Sequence, residues 1–216
     1  MNILIDRDHR DQLHKVFHTD TNGNLLLPGD TIIGKESDFE NRYKDEYSNK
    51  GPWVVENTES SVIEINDNRY SIRHLNNNRA YQSNVPLNIN GEKNWAIEAE
   101  LKTIEQPISN QFGLVYGMNH TTGDKHLFYI DCNHQTMDIV SIDNGKVIWH
   151  LDRRKTLSIQ KDCNIMRVEC IDQFWYYYIN SYLVFCQPSQ KLQGNYFGYA
   201  MDGAVHFESN YFKINW

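Results

Sequence analysis

The stretch that most constrains this chain runs from Asn164 to Cys186 and reads NIMRVECIDQFWYYYINSYLVFC. It holds three apolar, β-branched and aromatic runs, separated only by Asp172-Gln173 and by Asn180-Ser181. Short runs of this kind, bounded by turn-forming residues, predict consecutive antiparallel strands joined by hairpins. The rest of the fold is expected to be organised around these three strands.

Side chains alternate between the two faces of a strand, so the three strands present two different surfaces. If both loops have two residues, Cys170 faces Trp175, and Trp175 faces Cys186 on the next strand. One surface is apolar and is predicted to be core; it carries Val168, Cys170, Trp175, Tyr177 and Ile179. The other is half charged and half aromatic and is expected to meet water or a ligand; it carries Arg167, Glu169, Phe174, Tyr176 and Tyr178.

The rest of the chain from Phe39 onward is a regular series of strand-like runs and turns, with no useful helical periodicity after residue 50. Asn-Gly and Asp-Gly pairs between such runs favour tight hairpins, because these residues accept positive φ. The turn signals are Asn66-Asp67-Asn68, Asn90-Gly91, Asn144-Gly145 and Asp202-Gly203. The predicted strands are 53–56, 61–65, 70–75, 95–103, 112–118, 126–131, 137–142, 146–150, 196–201 and 205–215. Many short strands at this spacing predict an all-β, two-sheet antiparallel β-sandwich or a barrel.

Composition narrows the classes of partner. The chain has 216 residues and a net charge of -7, which argues against a nucleic-acid surface, since such surfaces concentrate Lys and Arg. No run approaches the length of apolar chain that spans a membrane. The four cysteines show no C-x-x-C spacing, and two strand spacings separate Cys170 from Cys186, so we expect free thiols. Unpaired cysteines and an N-terminus unlike a secretory signal favour the cytoplasm.

Residues 1–36 differ from the remainder and are interpreted as an irregular N-terminal arm or linker, preceding a β-sandwich domain at 37–216. Asp20, Asn22 and Asn24 imitate a calcium loop, but Thr31 stands where the closing glutamate is required, so the EF-hand interpretation fails. Asn22-Gly23 is better explained as a hairpin turn. His9, His14 and His18 are more typical of a solvated surface than of a metal site. No metal and no cofactor is expected.

From about residue 39 the chain resembles the concanavalin A-like, laminin G-like jelly-roll superfamily. The resemblance rests on the runs WAIEAELKT from Trp95, FGLVYGM from Phe112, LFYID from Leu127, RVEC from Arg167, YIN from Tyr178, FGYAMDG from Phe197 and VHFESNYFKIN from Val205. The segment from Asn41 to Trp53 is also similar to the opening of bacterial members that include 3-keto-disaccharide hydrolase-like proteins. Ser181 departs from the glycine that the superfamily often carries in its late hairpin. The resemblance implies a jelly-roll sandwich and either glycan binding or glycoside hydrolysis.

The carboxylates bear on that choice. Hydrolases of the laminarinase and lichenase type carry Glu-x-Asp-x-(x)-Glu on one strand. Here Glu98 and Glu100 share a face roughly 7 Å apart by strand geometry, a separation closer to inverting than to retaining chemistry. The third acidic position holds Lys102 or Thr103. The alternative to catalysis is a strand whose Trp95, Ile97, Ala99 and Leu101 face the core while Glu98, Glu100 and Lys102 are solvated.

We therefore expect a non-catalytic binding module that recognises a carbohydrate or a protein partner on a solvent-facing sheet or its rim loops. The expected ligand-binding residues are Tyr176, Tyr178, Arg167 and Glu169, because aromatic rings beside a cation and a carboxylate suit a sugar or a polar protein surface. The alternative for these tyrosines is coverage by another segment, such as the N-terminal arm. A hydrolase using Glu98 or Glu100, and a structural interaction domain of a larger protein, remain open. The oligomeric state is not predicted.

Overall fold

The computed structural model describes residues 39–48, 51–107 and 110–216, together with the backbone of two short strands nearer the N-terminus. These residues form strands and connections. No helix occurs among them, and therefore no helix that could span a membrane. The prediction of an all-β fold is confirmed. The histidines His9 and His14, the calcium-like residues and the Asn22-Gly23 turn lie outside the described residues.

The strands are numbered in chain order. The first part of the chain holds β1 (His18–Thr19), β2 (Leu25–Leu26), β3 (Arg42–Asp45), β4 (Glu56–Asn57), β5 (Ser61–Asn66), β6 (Arg69–His74), β7 (Ala80–Pro86), β8 (Trp95–Glu105) and β9 (Gln111–Met118). The second part holds β10 (Lys125–Asp131), β11 (Thr136–Asp143), β12 (Lys146–Lys155), β13 (Cys163–Ile171), β14 (Phe174–Ile179), β15 (Tyr182–Pro188), β16 (Tyr196–Asp202), β17 (Val205–Ser209) and β18 (Phe212–Asn215).

Two antiparallel sheets make up the sandwich. The six-stranded sheet has the order β12-β11-β10-β9-β16-β7. The larger sheet has the order β15-β14-β13-β8-β17-β6-β5-β4, with β18 also pairing β8 and β3 pairing β18. The separate pair β1 and β2 is antiparallel, with His18 opposite Leu26.

The core lies between the two sheets and is rich in aromatic rings. Trp95 and Trp175 come from β8 and β14 of the larger sheet, which are separated by β13, and Tyr116 comes from the six-stranded sheet. The ring centroid of Tyr116 lies 5.4 Å from Trp175 and 5.8 Å from Trp95. The apolar surface predicted from the central hairpins is buried as expected, because Val168, Trp175 and Ile179 all belong to this core.

The register of the central hairpins is confirmed in its first half and wrong in its second. Cys170 pairs with Trp175 as predicted. Trp175 pairs with Gln187, whereas Cys186 pairs with Tyr176. The cause is a β-bulge in β15: Tyr177 pairs with Phe185 and Tyr178 with Leu183, so one extra residue is accommodated there.

Both central loops have two residues, and all four loop residues have positive φ. The φ angles are 49° at Asp172, 65° at Gln173, 51° at Asn180 and 68° at Ser181. Two consecutive left-handed residues match the twist of the strands that they join. Ser181 holds this conformation although it has a side chain, which costs free energy that glycine avoids.

Two of the other turn predictions are confirmed and two are wrong. The Asp67-Asn68 pair closes β5–β6, and Asn144-Gly145 closes β11–β12, both with positive φ. Asn90-Gly91 and Asp202-Gly203 do not close hairpins, because each lies in a connection that carries the chain from the six-stranded sheet to the larger one. These connections form part of the rim of the sandwich.

From residue 39 onward, the sequence missed two strands, misplaced a third and joined two into one, because the predicted strand 205–215 is divided into β17 and β18. β7 reads AYQSNVP and β3 reads RYKD, and neither has the apolar alternation that the predictions relied on. Trp53 precedes β4 rather than lying in it, and its ring is buried against Tyr70 and Tyr199 at 5.1 and 5.3 Å.

Candidate functional site

The residues predicted to bind a ligand come together as expected but are not exposed. Arg167 pairs with Tyr178 and Glu169 with Tyr176 across β13 and β14, on the side away from Trp175. Their exposed fractions are 5% for Arg167, 0% for Glu169, 5% for Tyr176 and 1% for Tyr178. The expectation that this surface meets solvent is therefore wrong, and the burial matches the covered alternative.

Apolar packing covers part of this surface. Tyr176 and Tyr178 form a cluster with Ile171 and Leu183, and Phe39 packs against it from the start of the continuously described chain. Alternation along a strand predicts which side a ring occupies but not whether another segment covers that side.

Arg167 is the centre of a buried ionic cluster. Its Nε donates to Glu169 Oε1 at 2.6 Å and its Nη1 donates to Glu98 Oε2 at 2.8 Å. Glu98 Oε1 also accepts hydrogen bonds from Lys213 Nζ and from the Tyr211 hydroxyl, both at 3.0 Å. Burial alone would raise the pKa of Glu98, but Arg167 and Lys213 outweigh it and hold that pKa below its usual range.

This arrangement is unsuited to glycoside hydrolysis. The expectation that Glu98 is solvated is wrong, since its charge is neutralised inside the cluster. A general acid needs a raised pKa, and the pKa of Glu98 is lowered. Glu100 is tied to the side-chain amide of Asn210. The other half of the non-catalytic interpretation is confirmed, because Trp95, Ile97, Ala99 and Leu101 are fully buried in the core.

The four cysteines are free thiols, as predicted. Burial raises the pKa of Cys132, Cys170 and Cys186 to about 11. Thiols with such pKa values are poor nucleophiles at neutral pH. Within the described part of the chain, no group of three or more His, Cys, Asp or Glu side chains could hold a metal ion.

The six-stranded sheet presents a second surface, here called the outer sheet face. One cross-strand row runs over all six strands, from Trp149 in β12 through Val140, Leu127, Val115 and Gly198 to Asn84 in β7. Val115, Leu127 and Val140 form an apolar cluster separate from the main core, so this row points away from it. Six strands span about 24 Å at the usual strand spacing.

Two glycines keep part of the outer sheet face low. A Cβ on Gly113 would lie 2.0 Å from the carbonyl oxygen of Phe128, and one on Gly198 would lie 2.2 Å from that of Ser83. The backbone therefore requires glycine at both positions, whatever binds there. These glycines lower only the part of the face next to β7. The side chains of Val115, Leu127 and Val140 lie between Gly198 and Trp149 and are buried, and Trp149 itself is exposed at the edge.

Lys125 lies across the middle of the outer sheet face. Its Nζ donates to Gln82 Oε1 at 3.3 Å, although β9 and β16 separate the two strands that carry these residues. Burial lowers the pKa of Lys125. No salt bridge to Lys125 occurs among the described residues.

Trp149 is the most exposed aromatic residue of the described surface. It is 56% exposed, and Val147, two residues earlier on the same side of β12, is 55% exposed. Register shifts between β11 and β12 break the alternation after Trp149, and Arg153 has a φ of 42°. Asp138 supports this irregularity by accepting a hydrogen bond from the backbone N–H of Arg153.

A second concave feature, here called the rim cleft, lies at one end of the sandwich. Its volume is about 940 Å³, and it is formed by the connection between β7 and β8, the connection between β15 and β16, and the β13–β14 hairpin. Its polar lining includes Asn90, Asn94, Gln173, Gln190 and Asn195.

Sequence reasoning anticipated the strand that carries Trp149 but not its role. The run KVIWHL held the signal, because Val147 and Trp149 share a side while the strand ends in charged residues. No local pattern shows that β12 is a sheet edge, which is what leaves the ring exposed. The rim cleft depends on three connections far apart in sequence and had no local signal.

Comparisons with known proteins find similarity in structure only. No protein-family model matches the sequence, and no curated protein is significantly similar to it. The GH43 BlXynB protein from Bacillus licheniformis matches with a TM-score of 0.59 and 9% identity, over 92% of this chain and 45% of that one. This chain thus spans less than half of that protein.

Two smaller structures match over most of their own length. A protein of unknown function with a galectin-like fold from Bacillus subtilis has a TM-score of 0.54 and 11% identity, over 80% of this chain and 94% of that one. The CBM2 module of the evolved Dit of Lactobacillus casei BL23 phage J-1 has a TM-score of 0.53 and 6% identity, over 81% and 94%. These likenesses show a jelly-roll β-sandwich fold, as the sequence resemblance implied.

Proposed function

We propose that this chain is a non-catalytic carbohydrate-binding module that binds an oligosaccharide on the outer sheet face at the edge strand β12, with Trp149 as its main contact. The observation that carries the proposal is an indole 56% exposed at one end of a cross-strand row that ends in the amide of Asn84. A flat apolar ring offers contact to sugar C–H groups at little cost in side-chain entropy.

The polar groups of the outer sheet face suit sugar hydroxyls. Lys125 supplies N–H donors, and the amides of Gln82 and Asn84 can both donate and accept. The Asn84 amide oxygen is held at 2.9 Å from His120 Nε2, which fixes its orientation. Gly113 and Gly198 keep the surface low beside β7, whereas Trp149 is exposed at the opposite edge of the sheet.

The absence of an acid–base pair at Glu98 and Glu100 favours binding over hydrolysis, because Glu98 is neutralised by Arg167 and Lys213. The fold is compatible with this proposal, although a jelly-roll sandwich hosts many functions and does not by itself select a ligand. A protein partner on the same surface is the competing interpretation, and a screen against glycans separates the two.

The test is a glycan array on the purified chain, followed by calorimetric titration with the best oligosaccharide. Trp149→Ala should weaken binding about 30-fold, which corresponds to the roughly 2 kcal/mol of an aromatic hot spot. Lys125→Met should also weaken it. Tyr182→Ala is the matched control, since Tyr182 is 49% exposed but lies in the larger sheet.

The array also provides the contradicting results. No binding to any immobilised glycan would reject the carbohydrate proposal in favour of a protein partner. Binding that Trp149→Ala and Tyr182→Ala leave equally unchanged would remove the ligand from the outer sheet face.

A further inference from the structure

The rim cleft is distinct from the outer sheet face, because none of its lining residues belongs to the row from Trp149 to Asn84. Its volume of about 940 Å³ lies within the range of small-molecule sites. The site proposed above needs no contribution from it. The cleft therefore calls for its own explanation.

The walls of the cleft are held in place by buried groups. His126 Nε2 donates to the carbonyl oxygen of Lys191 at 2.9 Å, and its Nδ1 lies 2.7 Å from Ser141 Oγ. The Gln190 amide lies 3.2 Å from Ser141 Oγ and 3.3 Å from His150 Nε2. Burial lowers the pKa of His126 to about 4, so this network is uncharged near neutral pH.

The remaining walls are fixed by backbone contacts. The N–H of Ser189 donates to the carbonyl of Gln173 at 2.7 Å, which joins the β15–β16 connection to the β13–β14 hairpin. Leu192 packs so close to Gly91 that a Cβ there would lie 3.1 Å from its side chain. The N–H of Asp172 donates to the Asn94 amide oxygen at 3.2 Å. A cleft fixed from three sides loses little entropy when it takes a ligand.

The lining chemistry selects a ligand class. Side-chain amides are the commonest polar groups in it, and the charged groups are Glu92, Lys93 and Lys191. Lys93 forms a salt bridge with Glu40 at 2.9 Å, so the remaining charges of Glu92 and Lys191 balance. Amides donate and accept at adjacent atoms, as neighbouring hydroxyl groups do. Ile89 and Leu192 add an apolar patch. We propose that the rim cleft is a second binding site, which takes a neutral, polyhydroxylated ligand of one or two sugar units.

The sugar class rests on the proposed function, whereas the existence of a separate cleft site does not. The experiment is a titration of ¹⁵N-labelled full chain with glucose, galactose, mannose, fructose, xylose and sucrose at millimolar concentration, followed by amide and indole NMR signals. Glucuronic acid and glucosamine serve as charged comparators. The rim cleft is reported by the amide signals of Gly91 and Leu192, and the outer sheet face by the Trp149 indole.

We expect at least one neutral sugar to shift the Gly91 and Leu192 signals, and Trp149→Ala to leave that response unchanged. Gln190→Ala should reduce the affinity at least tenfold. Gln193→Ala is the matched control, because Gln193 lies in the same connection but does not line the cleft. If Gln190→Ala does not fold, Gln173→Ala replaces it, because Gln173 lines the cleft from the β13–β14 hairpin.

Three outcomes would overturn the cleft site. The first is the absence of shifts at Gly91 and Leu192 with every neutral sugar. The second is a response only to the charged comparators. The third is a cleft response that disappears in Trp149→Ala, which would mean a single site. A Trp149 indole response without a cleft response would overturn this proposal and leave the proposed function standing.

Discussion

Replacing Arg167 with methionine tests the buried ionic cluster. The side chain of Arg167 is almost fully buried and donates hydrogen bonds to both Glu98 and Glu169. Methionine has a similar length but no charge, so the variant keeps the packing and leaves two buried carboxylates without their shared cation. Breaking a buried ion pair from one side typically costs about 3–5 kcal/mol. For a chain of this size that is a fall of roughly 10 °C in melting temperature.

The cost should depend on pH. In the native protein the pKa of Glu98 is lowered, so its contribution to stability is present above its unfolded pKa and is lost as the pH falls through its folded pKa. Without Arg167, burial raises the pKa of Glu98 relative to the native protein, and protonation then relieves part of the cost. The difference in unfolding free energy between the two proteins should narrow as the pH falls from 7 to 5.

Urea unfolding at both pH values measures this effect. Arg69→Met is the matched control, because Arg69 forms an exposed ion pair with Glu208 at 3.3 Å, and such pairs contribute about 0–1 kcal/mol. A cost for Arg167→Met no larger than that of Arg69→Met at pH 7 would refute the reasoning. An equal cost at both pH values would refute the electrostatic part alone.

Two further predictions concern the central hairpins. Tyr178→Ala should lower the unfolding free energy by about 3–5 kcal/mol, because the ring is buried, whereas Tyr182→Ala should change it little in the same urea titration. If Tyr178→Ala left the unfolding free energy unchanged, Tyr178 would again be a candidate ligand contact. Ser181→Gly should raise the unfolding free energy by about 0.5–1 kcal/mol, because φ is 68° there. Ser158→Gly, at a site without positive φ, should lower the unfolding free energy. If both variants lowered it, the claim that the backbone of Ser181 is strained would be wrong.

Local patterns predicted most of the larger sheet. The runs from Trp95 and from Asn164 carry regular alternation, and the structure places their apolar residues in the core. β3 could not be found in this way, because the charged run from Arg42 is a strand only through its pairing with β18 near the C-terminus. Two strands so far apart in sequence show no local pattern that reveals their pairing.

The candidate sites were less accessible to sequence reasoning. Alternation placed Tyr176 and Tyr178 on the correct side of β14, but their burial depends on packing that includes Phe39. The outer sheet face was missed because its row from Trp149 to Asn84 depends on the order of six strands. Side chains that become neighbours only because of the order of the strands show no regular spacing in the sequence.

The irregularity of β12 also affects how the protein behaves in concentrated solution. An edge strand with exposed Val147, Ile148 and Trp149 would ordinarily invite another copy to add a strand and begin an aggregate. Here the register shifts and the positive φ of Arg153 bend the edge, and three cationic side chains follow at 153–155. A bent, charged edge is a poor template for a straight neighbour, so the chain can display an apolar ring to water without polymerising through it.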